Sequence, residues 1–299
     1  MRRLLTVGFL PCGLFVTCLW TLVRAGSFTG RSRWDEVLPR DAGHTAIMVL
    51  ALLAGASLLA MLLQPFQVRA VRVLEGYWDR WPWTAGVATV LIDMQRRRWV
   101  SLRKRAVMAA DAGATVKRVR ADVARRLSAY PPGDVLLPTA LGNALRAGEL
   151  RAGERYGLST LASWSRIHMQ VSDRAAVALH STRDALDAAV NLCWCLLVLT
   201  PVSWTALYDE PGLWWMCACV PFLAAVAYKG AVTVAQAYAS LMHVVYDLHR
   251  FDLARALHYR LPDGPQDERE LFTRVSDLLS GRSMPDLPYE HHGTPDAND

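Results

Sequence analysis

Residues 45–66, TAIMVLALLAGASLLAMLLQPF, run for 22 positions without one charged side chain. About 20 such residues, coiled as an α-helix, cross the hydrocarbon core of a bilayer. A helix is the form to expect, because lipid offers no partner for an unpaired N–H or C=O and the backbone must satisfy itself. Three further stretches are similarly apolar, with charge only toward their edges, at 4–23, 186–208 and 213–234. No arginine stands inside any of the four. Lys229 lies near the end of the last, where its amine can snorkel to the interface. The expected fold class is therefore an all-α membrane protein: four transmembrane helices, arranged as two hairpins, flank a cytoplasmic helical domain.

Outward from these spans, the arginines set the orientation, since short cytoplasmic loops hold the excess of Lys and Arg. Arg2 and Arg3 precede span one, whereas the turn YDEPG at 208–212 carries no base. The loop from Arg24 to His44 has four arginines against three acids and is the one blemish on the rule. Both termini and the middle segment are expected to be cytoplasmic and the host to be the plasma membrane. A cleaved signal peptide is the competing reading of the first stretch, but its apolar run exceeds the usual 7–15 residue core. The organisation expected is a first transmembrane hairpin (1–66), a basic helical domain (67–185), a second hairpin (186–234), a cytoplasmic helical extension (235–261), and an amphipathic segment with a disordered tail (262–299).

Although 53% of the 299 residues are hydrophobic, the chain carries a net charge of +6. Much of that surplus lies between Arg69 and Arg126, with fourteen bases against five acids. Arg96, Arg97, Arg98, Arg103, Lys104 and Arg105 form its densest part. Beside a membrane span, such a cluster points first to anionic lipid headgroups. A protein partner comes second; nucleic acid is disfavoured, because no stacking or groove-reading motif accompanies the charges. Tyr77, Trp78, Trp81 and Trp83 follow span two at the depth of an aromatic belt. The basic stretch from Met94 to Leu127 reads as helix, weakened near Gly113 and stopped by Pro131-Pro132.

The segment 137–157, LPTALGNALRAGELRAGERYG, has the glycines of a phosphate loop but neither the Lys-Ser/Thr pair nor the G-x-G-x-x-G spacing of one. Read as a helix with Pro138 in its first turn, it places Leu137, Leu141, Leu145, Gly148, Ala152 and Tyr156 on one face. Ala144, Gly148 and Ala152 make a small-residue groove along it, a device for close helix packing. Residues 159–184 read as further helix leading into span three. Span four repeats the small-residue device with Ala227, Ala231, Ala235 and Ala239, all at four-residue steps. Packing is the first reading of that stripe and a pore lining the second.

His243 and Asp247 share a helix face, as do His180 and Asp184 just before span three. A membrane enzyme with a His/Asp site at the inner interface would draw on these four. No metal site is expected, because Cys193-x-Cys195 and Cys217-x-Cys219 cannot both turn toward one ion. The six cysteines read as apolar fillers. No cofactor motif and no nucleophile motif stands in the chain.

The motifs Leu74-Glu75-Gly76-Tyr77-Trp78, Pro138-Thr139-Ala140-Leu141-Gly142-Asn143-Ala144-Leu145-Arg146-Ala147, Arg155-Tyr156-Gly157 and Tyr246-Asp247-Leu248-His249-Arg250 resemble those of multi-spanning membrane proteins of high-GC actinobacteria. The resemblance covers about Gln64 to Leu257 and implies a shared fold without supplying an activity. In outline alone, the order of hairpin, insert and hairpin is also similar to bestrophin-type channels. The expected function is a non-enzymatic interaction or scaffold component that self-associates in the membrane. An oligomeric channel or transporter lined by span four, and the His/Asp enzyme, are its rivals.

Overall fold

A computed structural model describes residues 4–39, 41–78, 82–108, 114–282 and 289. Every regular element among them is helical. The α-helices are α1 (Leu10–Arg24), α2 (Ala42–Leu63), α3 (Gln67–Glu75), α4 (Pro82–Met108), α5 (Ala114–Leu127), α6 (Ala140–Arg151), α7 (Thr160–His168), α8 (Asp173–Leu207), α9 (Trp214–Ala256) and α10 (Pro265–Leu279). They form two compact units. Unit one comprises 1–88 and 182–235, and unit two comprises 89–181 and 236–299.

Unit one contains the apolar helices. A π-helical turn, Leu4–Phe9, leads into α1, with Pro11 in the first turn of that helix. The Asp41 carboxylate caps α2, accepting from the Gly43 and His44 amides at 3.1 and 3.2 Å. The helix thus starts three residues before the uncharged run, because a capping oxygen rather than hydrophobicity satisfies its first free N–H groups. Glycine lets α1 and α2 approach closely. A Cβ on Gly8 would stand 3.2 Å from that of Ala60, one on Gly13 3.8 Å from that of Ala56, and one on Gly55 3.5 Å from Val16. These contacts pair rising numbers in the π-helical turn and α1 with falling numbers in α2. Gly76, at φ +94°, ends α3, and the Trp78 indole folds back to donate to the Val73 carbonyl at 2.7 Å.

Elsewhere in unit one, Cys193 and Leu196 of α8 pack with Ala224 and Ala227 of α9. Leu22, Ala206, Leu207 and Cys217 close a second cluster. Both long helices continue through an internal proline, Pro201 in α8 and Pro221 in α9. Ile47, Leu50, Leu58 and Met61 of α2, and Phe222 and Leu223 of α9, point outward. An outward apolar surface of this kind on four helices long enough to cross a bilayer identifies a membrane protein.

Unit two has its own core, in which Leu158, Ile167, Tyr246, Leu253, Phe272 and Val275 are almost wholly buried. Two expectations are corrected in it. The segment 137–157 is not one helix from Leu137: Thr139 is the N-cap, its hydroxyl accepting from the Gly142 amide at 3.0 Å, so Pro138 lies before the first turn. α6 ends at Arg151 because the Gly153 amide turns away to the Thr160 hydroxyl at 3.1 Å. A 3-10 turn, Glu154–Tyr156, and Gly157 at φ +84° complete the reversal. Likewise 159–184 is two helices, parted at 169–172, with Asp173 opening α8 where the helix dipole favours an acid. The weakening expected near Gly113 and the aromatic ring of Trp81 lie outside the described residues.

Asn143 anchors the start of α6. It is fully buried, its carboxamide accepts from the Leu137 amide at 2.7 Å and donates to the Leu137 carbonyl at 2.9 Å. Asn143→Ala leaves both backbone groups of Leu137 without that partner. It is expected to destabilise unit two by about 2 kcal/mol, measured as a lower denaturation midpoint of the full chain in detergent.

Candidate functional site

The residues singled out in the sequence fall at three places. The first is a polar cluster in unit two, where the segments Arg155-Tyr156-Gly157 and Tyr246–Arg250 meet. In Arg155-Tyr156-Gly157, the guanidinium of Arg155 lies over the Tyr156 ring, 4.7 Å from its centroid, and contacts His243 Nε2. The Tyr156 hydroxyl donates to Asp247 Oδ1, and Arg155 faces the same oxygen at 3.7 Å. Burial, reinforced by the neighbouring Asp247 carboxylate, pushes the Tyr156 hydroxyl above its usual value, which keeps it a donor. From Tyr246-Asp247-Leu248-His249-Arg250, Arg250 covers the Tyr156 ring at 4.3 Å and donates to Glu268 at 2.7 Å. Both ends of that last pair are largely withdrawn from water.

His243 and Asp247 therefore stand 3.3 Å apart and already engage Arg155 and Tyr156. His180 has another neighbour: its ring meets that of His168 edge-on at 5.3 Å. Asp184 follows one turn later in α8. Among the described residues no group of three or more His, Cys, Asp or Glu is disposed to hold a metal ion.

At the second place, the small-residue stripes meet. A Cβ on Gly148 would lie 2.4 Å from the Ala239 Cβ and 3.0 Å from its Cα, so α6 and α9 cross there in backbone contact. Ala144 and Ala152 are buried beside it. Further along α9, Ala227 is 8% exposed and Ala231 and Ala235 are fully buried.

α4 is the third place. Arg96, Arg97, Arg98, Arg103, Lys104 and Arg105 are all exposed. Before them Trp83, Val87, Val90 and Met94, at steps of three and four, form an exposed apolar stripe. One helix thus passes from an apolar outer face to a basic one within about three turns. Arg103 also stacks over the Trp99 ring at 5.2 Å.

A cavity of about 590 Å³ in unit one was not singled out in the sequence. Its wall is drawn from three separate segments. On α8 it takes Arg183, Asp187, Asn191, Cys195 and Val198, a single helix face. That spacing, passing from polar to apolar along a predicted span, was the readable signal. Asn191 donates to the Val7 carbonyl at 3.1 Å and the Trp194 indole to the Ala70 carbonyl at 3.1 Å, so both are held by backbone.

Comparison with protein families, with curated proteins and with solved structures finds no match to the chain. The class of protein rests on the four apolar helices: this is a membrane protein.

Proposed function

We propose that this chain is a multi-pass plasma-membrane protein, both termini cytoplasmic, that works by binding rather than by catalysis. It seats a basic helical platform on anionic headgroups and self-associates or holds a protein partner there. The observation that carries the reading is α4, whose exposed stripe Trp83, Val87, Val90 and Met94 gives way to six exposed cations. A Lys/Arg cluster that directly follows an apolar helical stretch is set at an anionic membrane surface. Each cation near an anionic surface contributes about 1 kcal/mol. Against a catalytic role for His243 and Asp247 stands their engagement with Arg155 and Tyr156.

The test is hydrogen exchange of residues 94–107 in the full chain, held in nanodiscs with and without phosphatidylglycerol. Anionic lipid is expected to slow exchange by about ten-fold or more, since six cations at ~1 kcal/mol exceed the 1.4 kcal/mol of one decade. Replacing Arg96, Arg97, Arg98, Arg103, Lys104 and Arg105 by Gln removes that slowing, as does high salt. Equal exchange in neutral and anionic bilayers overturns the reading.

A further inference from the structure

The cavity of unit one is graded from polar to apolar. Gln64, Gln67, Arg183, Asp187 and Asn191 stand at one end, and Phe15 and Val198 lie about two turns further along α1 and α8. The two charges offset one another: Arg183 Nε faces Asp187 Oδ1 at 3.4 Å, with Asp187 only 2% exposed. Asn191 is occupied by the Val7 carbonyl. The Gln67 Nε2 is buried and has no hydrogen-bond partner among the described residues. A buried amide donor left unmatched is costly. Such a group marks a place where an acceptor from outside the chain belongs.

The geometry points to a neutral, lipid-soluble ligand. We infer that the cavity binds a molecule that presents a carbonyl oxygen to Gln67 Nε2 and lays a hydrocarbon chain between Phe15 and Val198. The balanced Arg183–Asp187 pair leaves no net charge for an ionic headgroup to neutralise. The size falls within the range of small-molecule pockets, which are mostly apolar with a few placed polar groups. A carbonyl on a long chain can come from an acyl ester or from a prenylated quinone. Both satisfy the same donor. This site is independent of the basic face of α4, so failure of one leaves the other standing.

The full chain is placed in nanodiscs of dialkyl-ether phosphatidylcholine, which supplies no ester carbonyl, and titrated under native mass spectrometry. The probes are monoolein, decyl-benzoquinone, oleate and hexadecane. One equivalent of monoolein or of decyl-benzoquinone is expected to bind, and the tighter of the two assigns the source. Hexadecane binds more weakly. Gln67→Leu removes the donor and shortens the side chain by one atom; it weakens the carbonyl probe roughly ten-fold and leaves hexadecane unchanged. Should that variant fail to fold, Val198→Trp fills the apolar end and abolishes binding of the carbonyl probes. Absence of a one-to-one carbonyl complex overturns the inference. So does a Gln67→Leu protein that binds those probes as tightly as the parent, or a parent that prefers oleate to monoolein.

Discussion

Gly148→Ala alone is expected to destabilise unit two by about 3 kcal/mol, and adding Ala239→Gly to it is expected to return more than half of the loss. The added methyl of the first change would stand 2.4 Å from the Ala239 Cβ, well inside van der Waals contact. Neither atom belongs to a flexible side chain, so the helices themselves must separate. Overpacking of this kind costs about 1–3 kcal/mol, and a backbone-to-backbone site belongs at the upper end. Removing the Ala239 methyl leaves the new Cβ against the Ala239 Cα at 3.0 Å, which is still tight, so the rescue is partial. By itself Ala239→Gly costs about 1 kcal/mol through lost helix propensity. The double variant then shows a coupling of about 2.5–3 kcal/mol, at the upper end of the range typical of touching residues. The measurement is the denaturation midpoint of the full chain in detergent for the parent and all three variants. Additive losses would show that α6 and α9 do not meet at this point.

The small-residue steps in both segments were visible in the sequence, yet nothing in either named the other as its partner. A helix face reports that something is packed close, and the spacing is silent on what. The four spans were legible for a simpler reason: a run such as 45–66 offers its backbone no solution in lipid but a helix, so composition decides the fold locally. The end of α6 at Arg151 was not legible. Ala152 fits the helical stripe as well as Ala144 does, and the break comes from the Thr160 hydroxyl, eight residues on, capturing the Gly153 amide. Periodicity assigns Ala152 to a helix; a side-chain hydrogen bond removes it. The His/Asp pairs illustrate the same limit from another side. That His243 and Asp247 share a face follows from their spacing, whereas Arg155 and Tyr156 reach them only through the turn after α6. The cavity was hidden because Gln67, Gly8 and Asn191 come from segments far apart in the chain.

Tyr246→Ala is expected to be the most damaging single change in unit two, at about 4 kcal/mol, with Tyr246→Phe costing about 1–2 kcal/mol. Tyr246 is fully buried in α9 and stacks on the Trp164 ring, 6.1 Å between centroids and 19° between planes. Its hydroxyl donates to the Thr160 carbonyl at 3.0 Å and shares a hydrogen bond with Ser163 at 2.9 Å. It also bears on the turn after α6: a Cβ on Gly153 would lie 2.7 Å from the Tyr246 ring, so glycine is required for the ring to fit. Truncation to Ala removes a buried aromatic and leaves a cavity beneath α7, for which losses of about 3–5 kcal/mol are typical. The Phe variant keeps the ring and deletes only the hydroxyl, so its loss is confined to two hydrogen bonds and the unmatched Thr160 carbonyl. The ratio between the variants therefore separates packing from polar locking. Hydrogen exchange locates the effect. Tyr246→Ala should raise exchange in α7 and in 152–158 together, because one ring supports both, while α2 is unchanged. If exchange rises only within α9 itself, the ring does not organise the turn, and the meeting of the Arg155-Tyr156-Gly157 and Tyr246–Arg250 motifs would have to be held by the Asp247 and Arg250 contacts alone.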